Sequence, residues 1–226
     1  SQIEEMSHFN PAFFKFFEQL AKNNNKEWFD KNRSTYETEV KAPFKKFVGL
    51  IQSELAKDHP EFLREPSKAI FRINRDIRFA KDKSPYKDHV GALFSRSGTK
   101  DSRPSFYLHI GAKEVFLGGG MYDVDKEKLE KIRQEIYYNN DVFKKIINDK
   151  AFKTLYGEVQ GERNKVLTPN YKEFAKEQPI IANKQFYYMA QLKKEDVLDK
   201  NFEKTVLKYY KAAAKFNEFM MQAISE

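Results

Sequence analysis

Phe71-Arg72-Ile73-Asn74-Arg75-Asp76-Ile77-Arg78-Phe79-Ala80-Lys81-Asp82-Lys83-Ser84-Pro85-Tyr86-Lys87 changes the hydrophobic period of the chain and sets the class of fold. Phe71 and Ile73, then Ile77 and Phe79, alternate with polar residues, the pattern of half-buried strands on either side of a bend. The stretch also carries six basic side chains, Arg72, Arg75, Arg78, Lys81, Lys83 and Lys87. Packing several guanidinium groups against the body of a fold is costly unless something anionic meets them. The segment therefore reads as an anion-binding surface. Ser84-Pro85 must turn or extend, because proline disfavours helix at the residue before it.

Working outward, strands are expected over 90–94, 106–110 and 115–117, with Gly111-Ala112-Lys113 as a hairpin connection. Gly118-Gly119-Gly120 closes the sheet region, read as a bulge or tight bend. It lacks the Lys-Ser/Thr ending of a phosphate loop. Ser97-Gly98-Thr99 reads as a turn and 185–192 as a last strand. On the N-terminal side, Asn10 and Pro11 open a helix striped with Phe13, Phe14, Phe17 and Leu20. Asn24 and Glu27 have capping-box spacing for a second helix, and Pro43 opens a third. Helix returns at Asp125 and again around 142–147; 156–179 reads as irregular, and 202–224 as a long terminal helix. The expectation is one α+β domain over 1–226, with residues 1–8 as a poorly ordered tail. Its mostly antiparallel central sheet is flanked by N-terminal helices and a long C-terminal helix.

The 226 residues include 21 Phe and 12 Tyr, enough large rings to anchor a substantial core. No apolar run approaches the roughly 18 residues of a membrane span, so no membrane partner is expected. The absence of cysteine removes disulfides, thiolate metal sites, iron–sulfur clusters and cysteine nucleophiles, and is compatible with the cytoplasmic location expected here. His8, His59, His89 and His109 show no metal-ligand spacing, and neither a metal nor a cofactor is expected. Net charge is +8, and 64–103 holds eleven basic residues against five acidic ones, a local excess of +6. Concentrated positive charge is the footprint of an anion site.

Four further stretches accompany the basic segment in order: Leu20-Ala21-Lys22-Asn23-Asn24-Asn25-Lys26-Glu27-Trp28-Phe29, Tyr107-Leu108-His109-Ile110, Gly118-Gly119-Gly120-Met121-Tyr122 and Lys184-Gln185-Phe186-Tyr187. Together they resemble the bacterial and fungal family catalogued as domain of unknown function 2461, over nearly the whole chain. Two departures stand out. The family often has a proline soon after the glycine-tyrosine turn, where this chain has Tyr122-Asp123-Val124-Asp125. It tends to Pro-Lys-Gly where this chain has Pro169-Asn170-Tyr171, so a basic role at Asn170 is lost. The resemblance implies a single α+β domain and brings no activity with it.

Period two puts Arg72 and Asn74 opposite Phe71 and Ile73, and Tyr107 and His109 opposite Phe106 and Leu108. If the two strands are neighbours, Arg72, Asn74, Tyr107 and His109 share one surface. Arginine forks suit phosphate or carboxylate, and Asn, Tyr and His supply orienting hydrogen bonds. Arg75, Arg78, Lys83 and Lys87 join as anion contacts, and Asp76 orients them with a depressed pKa. Lys81 and Tyr86 belong to the proline-fixed turn, while Lys184 and Tyr187 in the last strand join the basic face. Tyr86 and Tyr107 are candidates to stack on bases. The leading expectation is a domain binding a phosphorylated small molecule or nucleic acid. One alternative is an enzyme on a phosphate- or carboxylate-bearing substrate, with His109 or Asp76 moving protons. The other is a structural or interaction protein whose arginines pair internally.

Overall fold

Asn10 caps the first helix, its side chain accepting from the Ala12 N–H at 2.9 Å, and Pro11 stands at the first helical position, where no N–H is needed. This computed structural model describes residues 6–96 and 103–225. The turn expected at Ser97-Gly98-Thr99, the first five residues of the tail and the charges at Lys100 and Asp101 lie outside the described residues. The chain forms two compact units, 1–99 with 107–117 and 191–207, and 100–106 with 118–190 and 208–226.

In the first unit, α1 (Pro11–Lys22) buries Phe13, Phe14, Phe16, Phe17 and Leu20. Asn25, not Asn24, caps α2 (Lys26–Lys31), accepting from the Trp28 N–H at 2.8 Å. The expected capping box at Asn24 is displaced because Asn24 is occupied elsewhere, as described below. A single π turn, Glu37–Lys41, leads directly into α3 (Ala42–Ala56). Pro43 therefore sits one residue inside the helix instead of opening it. Its ring would meet the carbonyl four residues back in an α-helix, and the wider turn relieves that clash. Phe9, Phe44, Phe47 and Phe202 close the core, with Phe47 and Phe202 stacked at 5.0 Å.

The antiparallel sheet has the order β1 (His89–Phe94), β2 (Ser105–Gly111), β3 (Val115–Met121), β4 (Phe186–Leu192). The α+β expectation holds, N-terminal helices and long terminal helix included. Gly118-Gly119-Gly120 is not a bend but the middle of β3. A Cβ on Gly119 would lie 2.3 Å from the Ser105 carbonyl oxygen and 2.4 Å from the Tyr188 hydroxyl. At Gly120, φ is +92° and a Cβ would come within 2.4 Å of the Phe186 carbonyl. The close approach at these two glycines is to neighbouring strands.

In the second unit, Asp125 caps α4 (Lys126–Tyr138), which is followed by α5 (Asn140–Ile147), α6 (Lys150–Tyr156) and α7 (Pro169–Phe174). Of these, α7 interrupts the stretch 156–179 that reads as irregular. Phe143, Phe152, Tyr188 and Phe216 form its aromatic core together with Tyr156, whose hydroxyl donates to the Tyr209 carbonyl at 2.6 Å. The terminal helix α8 (Phe202–Ile224) contributes Phe216 and Asn217, which accepts from the Tyr188 hydroxyl at 3.0 Å.

Candidate functional site

The basic stretch folds back on itself as an irregular hairpin. The expected strands at Phe71, Ile73, Ile77 and Phe79 do not form; bridges join Ile70 to Ala92 of β1 and Asn74 to Tyr86. Arg75 N–H donates to the Pro85 carbonyl at 2.9 Å, and Lys87 N–H to the Ile73 carbonyl at 2.8 Å. The alternation survives without the strands. Phe71, Ile73, Arg75 and Ile77 are half-buried, while Arg72, Asn74, Asp76 and Arg78 are exposed. Phe79 breaks the pattern and stands 93% exposed.

The hairpin is anchored at Tyr86, which is buried beneath Phe29, the rings stacked at 4.1 Å and 14°. Asn24 clamps the same residue, accepting from the Tyr86 N–H at 3.1 Å and donating to its carbonyl at 2.9 Å. The expectation that Tyr86 stacks on a ligand is corrected: its ring is core, because Phe29 covers it.

Several basic side chains brace the hairpin from within. The Arg75 guanidinium donates to the Ser84 carbonyl at 2.9 Å and the Asp82 carbonyl at 3.3 Å, and pairs with the Asp82 carboxylate at 3.4 Å. Lys83 Nζ donates to the Ile77 carbonyl and Lys87 Nζ to the Arg72 carbonyl, each at 2.7 Å. Arg78 grips Asp76 with a fork, Nε to Oδ1 at 3.0 Å and a terminal nitrogen to Oδ2 at 2.8 Å. That fork holds the Asp76 carboxyl below the usual range, the direction expected of it, and the guanidinium above its own. Hydrogen bonds from Ser84 likewise lower Asp82. Carbonyls carry no net charge to offset the cations they accept from. Among the described residues, Arg72, Lys81 and Lys83 make no ion pair, and all three are exposed.

A second cluster lies on one face of β1, β2 and β3. Phe116, His109 and His89 stack face to face, at 4.4 Å and then 3.8 Å. The Tyr107 hydroxyl is 3.2 Å from His109 Nδ1, and Glu114 is 4.0 Å from Nε2. His89 Nδ1 reaches Asp88 at 2.8 Å, and Lys113 stands 3.7 Å from the same carboxylate. Burial, reinforced by the neighbouring His89, pushes the His109 pKa down to about 4. Burial works against the Asp88 carboxylate too, but the hydrogen bond and charge of His89, with Lys113, leave it below its ordinary value. Burial, then Glu114, pushes the Tyr107 phenol up to about 12.

The two clusters do not merge as expected. The side chain that meets the Tyr107 ring is Phe71, at 6.0 Å, so Arg72 and Asn74 fall on the other side of the backbone from it. Lys184 and Tyr187 belong to the second unit; Lys184 is exposed, and the Tyr187 ring meets Tyr122 edge-on at 5.0 Å. Sequence reasoning missed His89 and Phe116 as partners of His109, although all three sit at matching positions on adjacent strands. It also missed Arg133. Desolvation lowers the pKa of that guanidinium, which donates to Asn164 Oδ1 at 2.6 Å and to the Ala182 and Asn183 carbonyls at 3.3 and 3.1 Å. These bonds tie α4 to the segments around Asn164 and Asn183.

The basic hairpin, the Asn24-Phe29 anchor, Tyr107-His109 and the glycine strand are the stretches that carried the family resemblance. The chain belongs to the DUF2461 family. That family, described as "Conserved hypothetical protein (DUF2461)", matches residues 12–219. Neither a curated protein nor a solved structure matches this DUF2461 chain. No described helix is long and apolar enough to cross a membrane, and the described residues contain no group of three or more His, Asp or Glu able to hold a metal ion.

Proposed function

We propose that this protein binds a phosphate-bearing anion through the exposed cations of the 71–87 hairpin. One observation carries the reading: the hairpin is braced by its own Arg75, Lys83 and Lys87, yet among the described residues Arg72, Lys81 and Lys83 are exposed and close no ion pair, Arg72 acting on Asp76 only through its charge. The segment holds six basic groups and two carboxylates, a net +4, on a scaffold pinned at Tyr86. Cations held in place before a ligand arrives give up less conformational entropy on binding it.

The internal-pairing alternative accounts for Arg75 and Arg78 but leaves Arg72 and Lys81 unexplained. The enzymatic alternative finds little support at His109, since a group protonating near 4 is a weak general base at neutral pH. Asp76, gripped by Arg78, is no better placed.

Thermal unfolding in inorganic tripolyphosphate tests the proposal. The wild-type midpoint should rise with ligand concentration, reaching a stabilisation of about 2.7 kcal/mol at a hundredfold excess over Kd. Both Arg72 and Lys81 are exposed, so the R72A/K81A double variant should keep its ligand-free stability to within about 0.5 kcal/mol per site. The ligand-dependent rise should largely vanish. An equal rise in both proteins, or none in either, rejects the proposal.

A further inference from the structure

The geometry points to single-stranded nucleic acid as the ligand of the hairpin, with a base stacked on Phe79. This rests on the anion-binding reading above and specifies its ligand.

Phe79 is the observation that a simple phosphate ligand leaves unused. Its ring is 93% exposed, at a turn where the Ala80 N–H donates to the Ile77 carbonyl at 3.3 Å. A phenyl ring left in water forgoes about 1.5–3 kcal/mol of burial, which a ring stacked on it would recover in part; what sets Phe79 apart from other exposed apolar residues is the cations around it. Contacts on the residues before Phe79 tie the turn to the hairpin. Lys83 Nζ is bonded to the Ile77 carbonyl, and Ile77 faces inward with Phe71 and Ile73. The Arg78 guanidinium lies 5.8 Å from the ring centroid, held there by its fork onto Asp76. The result is an aromatic platform with a cation over one side of the ring, flanked in sequence by the exposed Lys81 and Lys83.

That combination is what an unpaired strand requires. Every base offers a π face, so one ring can stack on any of them, while cations along the same loop meet the phosphates. A duplex keeps its bases stacked on each other and has no face to give Phe79. A membrane surface would use the cations, but a single ring buries too little apolar area for anchoring. The chemistry favours a strand with splayed bases and no sequence requirement.

Fluorescence anisotropy with a labelled oligothymidylate tests this on wild type, F79A, F79W and K81A. Because Phe79 is exposed, F79A should fold normally. It should bind the oligonucleotide about 5- to 150-fold more weakly, the range expected for losing one stacked base, while its affinity for tripolyphosphate stays unchanged. F79W should retain tight binding. K81A should lower the log–log salt slope by about 0.7, one phosphate contact on a single strand. Equal oligonucleotide affinity for wild type and F79A, with tripolyphosphate still bound, overturns the nucleic-acid inference and leaves the anion reading intact. Phe79-dependent binding to phosphatidylserine vesicles but not to the oligonucleotide overturns it likewise. Failure to bind any of the three overturns both.

Discussion

Phe29→Ala is expected to destabilise the first unit by about 3–5 kcal/mol, the range for emptying a buried phenyl site. Phe29 is 1% exposed and stacks on Tyr86, with Tyr36 at 5.1 Å and Phe16 at 6.1 Å. The Arg33 guanidinium lies 5.1 Å from the ring. Removing the ring opens a cavity under the residue that holds the hairpin. The two Asn24 hydrogen bonds to the Tyr86 backbone would then be its main remaining attachment there. Anion affinity should therefore fall with stability, even at temperatures where the variant is folded. For a chain of this size the midpoint should drop by roughly 2–4 °C per kcal/mol. Denaturant unfolding of F29A and of W28A, whose ring is half-buried on the same short helix, checks the effect. A loss under about 1 kcal/mol in F29A, or one no larger than in W28A, would show that the Phe29–Tyr86 stack does not anchor the hairpin.

The second large effect is acid lability. His109 is buried between His89 and Phe116, and its pKa is pushed from the usual 6.5 down to about 4. As pH falls the unfolded chain takes up this proton first, so unfolding is favoured. The stability owed to neutral His109 is complete above about 6.5, declines between there and about 4, and is gone below. A depression of this size is worth about 3 kcal/mol. Protonation would also set a positive charge against the stacked His89 ring, with Asp88 bonded to His89 and Glu114 4.0 Å from His109 as the carboxylates to answer it. Urea unfolding midpoints across pH 4–7 should fall steeply in wild type. H109Q lacks the titrating ring and should be flatter, though less stable at pH 7. An unchanged slope in H109Q would assign the acid lability to other groups.

Which features were legible follows from how local their causes are. Helix starts at Pro11 and Lys126 were readable because a cap and the first turn lie within a few residues. The alternation through 71–78 was readable too, and the burial pattern obeys it. The error was to equate alternation with a ladder. Residues 73–75 pair with 85–87 of the same loop, while Lys83 and Lys87 side chains fill carbonyls that a neighbouring strand would otherwise use. Tyr86 and Phe79 exchanged their expected surroundings for a related reason. Whether an aromatic is covered depends on a partner distant in sequence, and Phe29 is the partner Tyr86 found. The glycine triplet reads as a bend in sequence; only the third dimension shows that it lies within a strand closely approached by Ser105, Tyr188 and Phe186. Arg72 and His109 could not be separated by sequence, because that required knowing that Phe71 faces Tyr107.

Amide chemical-shift mapping during a titration with tripolyphosphate tests the central claim most directly, since it locates the ligand residue by residue. Saturable shifts should concentrate at Arg72, Arg78, Lys81 and Lys83, with little change at His109 or Lys184. Saturable shifts centred elsewhere, or none at concentrations that stabilise the fold, would contradict it.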